Sequence, residues 1–170
     1  AYNRVVHALP SSPGDFLEHL ARDFDLERDV DDPVPAQKGT VCLYLDGAWH
    51  RLVLPDTEGD RVVDRLDVSR LSEHLLEPWL GITDQRRDPN IDFVGGIRGT
   101  DALEARVATG AAQLAISMYP TRIEELVAVS DEGSLMPPKS TWFEPKLRSG
   151  LLVHDFAEDV PDDASVTPAI

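Results

Sequence analysis

The chain is expected to fold as a single compact α+β domain, with a β-hairpin, a mixed sheet and about four helices around one core. Three observations predict this. Residues 40–45 and 48–54 are apolar, strand-like runs separated only by Asp46-Gly47, a pair suited to a two-residue hairpin turn with positive φ. Segments with apolar residues at helical spacing alternate with short strand-like runs, but without the regular β-α-β alternation of a doubly wound parallel sheet. At 170 residues the chain is long enough to bury one substantial core without disulfide staples.

The elements follow in order. Residues 3–9 read as a strand. Ser12 before Pro13 makes a helix cap with proline in the first turn, and Phe16, Leu17, Leu20 and Phe24 recur at helical spacing behind it. Residues 29–38, rich in Asp and Pro, are a loop, and the hairpin comes next. After a second acidic loop over 55–64, Asp67-Val68-Ser69 opens a helix with Leu71, Leu75, Leu76 and Trp79 on one face. Pro78 should kink or stop that helix before Gly81. Residues 91–94 form a strand running into Gly95-Gly96. Thr100 caps a helix that Gly110 terminates, residues 113–119 alternate as a strand, and Thr121 with Glu124 makes a capping box for a helix closed by Gly133. Residues 141–143 and 151–156 supply two short strands. The expected domain is 1–156, and 157–170 is an acidic tail expected to be disordered.

Composition excludes several functions. With 31 acidic residues against 16 basic ones, a phosphate-backbone surface for nucleic acid is not expected. No apolar run approaches the roughly 20 residues of a membrane-spanning helix, and no leader opens the chain. The lone Cys42 lies in an apolar run and reads as a small buried hydrophobe. A cytoplasmic protein is expected. The strand-like opening without an initiator methionine suggests a fragment of something longer.

Against a net charge of −15, residues 136–150 carry Lys139, Lys146 and Arg148 against the single carboxylate Glu144, a local balance of +2. Their prolines forbid a central strand, so most of the stretch is an ordered loop, the usual place for a site. Two ammonium groups, a guanidinium fork and the hydroxyls of Ser140 and Thr141 suit a phosphate or carboxylate, and Trp142 offers a flat face for a base or ring. The alternative is that Trp142 and Phe143 merely anchor a proline loop while the cations pair with nearby carboxylates.

Gly95, Gly96 and Arg98, between a strand and a helix start, form a second anion-binding candidate through free backbone N–H groups. The segment matches neither a Walker loop nor the dinucleotide fingerprint, and a simple tight turn explains the glycines equally well. Asp92 is the carboxylate best placed for a metal or general base, although such a residue more often caps a turn. His74 reads as structural, no set of ligands spaced for zinc is present, and no serine elbow appears. No cofactor is assigned.

The string from Ile91 to Gly99, followed by that from Met136 to Gly150, resembles the C-terminal half of the bacterial and archaeal family called domain of unknown function 1015. Leu66-Asp67-Val68, Glu77-Pro78-Trp79-Leu80-Gly81-Ile82 and Tyr44-Leu45-Asp46-Gly47-Ala48-Trp49 share the likeness, which spans residues 3–154. The resemblance implies a longer protein whose N-terminal half, missing here, carries its own His, Glu and Arg motif and one wall of the site. It also implies phosphorylated metabolites as ligands, through a distant likeness to ParB-like small-molecule kinases. The expected function is therefore binding of a small anionic metabolite or nucleotide, with phosphoryl transfer the first reaction to test should the intact protein be an enzyme. The competing expectation is a structural or protein-interaction domain without such a ligand.

Overall fold

The computed structural model describes residues 1–142; the expected strand at 151–156 and the acidic tail lie outside them. Strands β1 (Tyr2–Val6), β2 (Leu26–Glu27), β3 (Thr40–Leu45), β4 (Ala48–Val53), β5 (Ile91–Gly95) and β6 (Leu114–Met118) form one six-stranded sheet in the order β2-β4-β3-β6-β1-β5. The α+β class is as the sequence indicated. The expected mixed sheet, however, is antiparallel at every pairing among the described residues, because no helix serves as a crossover between neighbouring parallel strands.

The hairpin β3–β4 pairs Thr40 with Val53 through to Leu45 with Ala48. Its turn residues Asp46 and Gly47 have φ of 52° and 83°, the primed turn whose twist suits the flanking strands and which glycine adopts without steric cost. Strand β1 ends at Val6 rather than reaching residue 9. After one further backbone bond, from His7 N–H to Asn90 O, side chains replace the ladder: Ala8 N–H donates to Asn90 Oδ1 and Leu9 N–H to Gln113 Oε1, both at 2.7 Å. Strand β2, only two residues long, is too short to leave a period in the sequence.

Alternation along the strands divides the interior. Val6, Val41, Leu43, Leu45, Leu52 and Ile116 face helix α1 (Pro13–Asp23) and the helical run after the hairpin, where Phe16, Leu20, Leu71, Leu75 and Leu76 complete the main core. On the other face Val5, Cys42, Trp49, Val94 and Ala115 pack against Leu103 of helix α4 (Asp101–Ala108). Burial there pushes the Cys42 thiol up to about 11, so it remains an unreactive apolar neighbour. Ser12 caps α1 as expected, its hydroxyl accepting from Asp15 N–H at 3.2 Å.

The helical run has three parts: α2 (Asp67–Leu71), a π turn (Ser72–Leu76) and α3 (Glu77–Leu80). In the π turn Glu77 N–H bonds Ser72 O, five residues back. Pro78 has no N–H to continue the ordinary ladder, and the chain absorbs it with this widened turn before stopping at left-handed Gly81. Two caps differ from expectation. Thr100 makes no side-chain cap to α4. For α5 (Ile123–Asp131) the reciprocal contact shifts one residue along, Arg122 N–H donating to Glu125 Oε2 at 2.9 Å, because the Thr121 hydroxyl donates elsewhere, to Ser140 O.

Asp67, 8 % exposed at the start of α2, accepts Gly39 N–H at 2.9 Å and so pins the helix to the strand β3 entrance. Burial raises its carboxyl above the ordinary 3.8 despite that hydrogen bond. The native state therefore holds this proton more tightly than the unfolded chain, and the associated stability is present below 3.8 and is lost as pH rises through the folded value. Asp67→Asn keeps an acceptor for Gly39 and removes the buried charge. Thermal unfolding between about pH 4 and 7 should show the variant at least as stable as the parent near neutrality, with the parent's relative advantage growing as pH falls.

Candidate functional site

Residues 136–142 leave α5 and return across the β1–β5 end of the sheet. Because Tyr2 pairs with Gly95 and Arg4 with Phe93, these four residues share the helix-bearing face, and the returning loop settles on them. Trp142 packs edge-on against Tyr2, ring centroids 5.1 Å apart, and lies over Gly95. A Cβ on Gly95 would stand 2.9 Å from Cδ2 and Cε2 of that indole, so glycine is required for this close approach. The Lys139 ammonium sits 5.0 Å from the centre of the Phe93 ring and 5.7 Å from that of Tyr2. Such a placement is favourable by about 0.5–1 kcal/mol at an exposed site.

Beneath this loop is a group that sequence reasoning missed. Arg4 is 0 % exposed, its guanidinium 5.6 Å from the centre of Phe93. Its Nη2 donates to Lys139 O at 3.2 Å, its Nε to Gln85 Oε1 at 3.4 Å, and its Nη1 to Tyr2 O. Burial lowers its pKa to about 10, which leaves it charged at neutral pH. Among the described residues neither Arg4 nor Lys139 forms an ion pair with a carboxylate, in a chain that has 31 of them. Lys139 itself has φ of 61°. A left-handed backbone costs a non-glycine residue about 1–2 kcal/mol, and a hydrogen bond from a charged donor contributes about 1.5–3 kcal/mol, so the Arg4 contact suffices to hold it. The one sequence signal was an arginine inside the apolar strand Tyr2–Val6.

The other expected site residues divide. Ser140, Thr141 and Trp142 line a cleft of about 230 Å³ together with Thr121, Arg122 and Ile123 at the start of α5. Ser140 is buried, its hydroxyl donating to Pro137 O at 2.6 Å and its carbonyl accepting from Thr121, so it shapes the loop from within. Gly96 lines a neighbouring cleft of about 280 Å³ with Gly99 and Thr100. Its N–H is not free as expected, since it donates to Ala1 O at 2.9 Å. Arg98 is exposed and lines neither cleft. Asp92 points to the opposite sheet face, accepting from Phe93 N–H at 2.8 Å and facing Arg106 of α4 at 3.6 Å. Lys146 and Arg148 lie outside the described residues.

A third cleft, of about 640 Å³, opens on the other side of the loop, between Pro137, Pro138 and the π turn. Gln85 reaches it from Arg4, its Nε2 donating to Ser72 Oγ at 3.3 Å. Among the described residues no three His, Cys, Asp or Glu side chains group as metal ligands would, and no helix is long and apolar enough to cross a membrane. Comparison of the chain with protein-family models, with curated proteins and with solved structures gives no match.

Gly95→Ala should displace the Trp142 ring, lowering stability by about 1–3 kcal/mol in chemical denaturation as overpacking does. The displaced indole should also red-shift the tryptophan emission.

Proposed function

We propose that the domain binds a small anionic metabolite in the cleft between the start of α5 and residues 140–142. The observation that carries this reading is the pair of cations at Phe93 that have no carboxylate partner among the described residues. One of them, Lys139, immediately precedes the cleft-lining residues Ser140, Thr141 and Trp142. Arg122 stands at the cleft's other wall, and the helix that begins at Ile123 turns its positive end the same way. The hydroxyl of Thr141 and the ring of Trp142 add a neutral donor and a flat apolar surface.

Size narrows the guest. Sites for drug-sized molecules span roughly 300–1,000 Å³, and the cleft is smaller at about 230 Å³. A phosphate or carboxylate carrying a short organic group fits this reading better than a whole nucleotide. The overall charge of −15 repels anions at long range, so affinity must come from these few local groups. The reading stops at binding, because Asp92, the carboxylate suggested for phosphoryl transfer, lies on the far face of the sheet. Lys146, Arg148, a second half of the same protein and a cytoplasmic location remain part of the proposal on sequence grounds.

A second reading, a scaffold or protein-interaction domain, draws support from the internal commitments of Ser140 and the packing of Trp142 on Gly95. Calorimetric titration with inorganic phosphate, phosphoserine and a mononucleotide separates the two. Anion binding predicts saturable heat, strongest for the smaller compounds, and a loss of about tenfold or more, on the order of 1.4 kcal/mol, in Lys139→Glu and in Arg122→Glu. Absence of binding by all three to the full chain would leave the scaffold reading.

A further inference from the structure

We infer that Arg4 is the positioning residue of this site: from beneath the loop, without touching the cleft, it fixes the backbone that presents Lys139 and Trp142 and thereby sets the affinity for an anion. The functional half of this inference rests on the anion-binding reading; the structural half does not.

Arg4 is completely buried, yet among the described residues it pairs with no carboxylate, and its acceptors are two main-chain carbonyls and one amide oxygen. Replacing a buried charge by an apolar side chain of like volume is often neutral or stabilising, so stability alone gives no reason for an arginine here. One of its acceptors is the carbonyl of Lys139, the only non-glycine residue of the 136–142 loop with positive φ. A planar guanidinium carries donors in fixed directions and can span Tyr2, Gln85 and Lys139 at once, which a flexible ammonium cannot do with the same geometry. The Phe93 ring lies near both cations, so the aromatic floor under Lys139 and the brace under its backbone form one unit.

The Gln85 contact extends that unit. With Oε1 committed to Arg4, the Gln85 amide must turn its NH₂ toward Ser72 at the π turn, so the brace also fixes the 81–90 connection. Arg4 thus holds the loop against two independent parts of the fold.

The test compares Arg4→Met and Arg4→Lys with the parent by amide hydrogen exchange over the whole chain and by titration with inorganic phosphate. In Arg4→Met the amides of residues 139–142 should exchange at least tenfold faster while those of β3 and β6 keep their protection, and phosphate affinity should fall at least tenfold. Arg4→Lys, which keeps the charge but not the fork, should lie between. If Arg4→Met does not fold, the Arg4→Lys comparison carries the test alone. Unchanged exchange at 139–142, or acceleration spread evenly through the sheet, would overturn the inference, since Arg4 would then be an ordinary core residue. If the parent binds no phosphate but the exchange pattern is as expected, the anion reading fails and the brace stands.

Discussion

The buried guanidinium of Arg4 is the contact on which the surroundings of the site depend. It joins β1 to residues 81 and 135 positions further along the chain, through Gln85 and Lys139. A charge with no exposed surface is costly unless its hydrogen bonds are made, and each acceptor it uses comes from a separate segment. Loss of any one segment's position would leave the charge underserved. The return loop, the 81–90 connection and the end of β1 are therefore coupled by one desolvation penalty as well as by their own packing.

The two faces of the sheet are covered differently. The helix-bearing face collects α1, the bulged helical run and α5, and their irregular ends leave grooves that the returning loop partly roofs. On the opposite face α4 and Val30 of the loop before β3 pack on the sheet, Leu103 closes a small apolar patch, Glu104 accepts the Trp49 indole N–H at 2.8 Å, and the cleft of about 280 Å³ opens beside Asn3, Ser117 and Thr100. Asp92 and Phe93 are neighbours in sequence yet belong to different faces, so the strand's pleat assigns one to an ion pair with Arg106 and the other to the aromatic floor.

Much of the fold was legible because its signals are local. The Asp46-Gly47 turn, the Ser12 cap and the apolar spacing of Phe16, Leu17 and Leu20 each specify an element from adjacent residues. The end of β1 was not legible, since Asn90 and Gln113 supply its partners from far away. Nor was the shifted start of α5, because the Thr121 hydroxyl is claimed by a carbonyl 19 residues on. The geometry of the candidate site was only partly legible. Proline, hydroxyl and tryptophan clustering pointed to residues 139–142, and the structure does bring Trp142 to Gly95. What sequence could not convey was orientation: Lys139 lies over rings, Ser140 turns inward, Arg98 turns outward. An arginine at position 4 looked like one more strand residue until its long-range acceptors were in place.

The order of the sheet also bears on how the chain is made. Strand β1 leaves the ribosome before either of its neighbours, β5 at 91–95 and β6 at 114–118. At roughly 5–20 residues per second it waits on the order of ten seconds for a partner. An unpaired, wholly apolar segment would spend that interval as an adhesive edge. Asn3 and Arg4 interrupt this one with groups that water solvates well, although the folded domain buries the guanidinium completely. The arginine that braces the loop in the folded domain is thus also a charge that breaks up a mostly apolar strand edge before pairing.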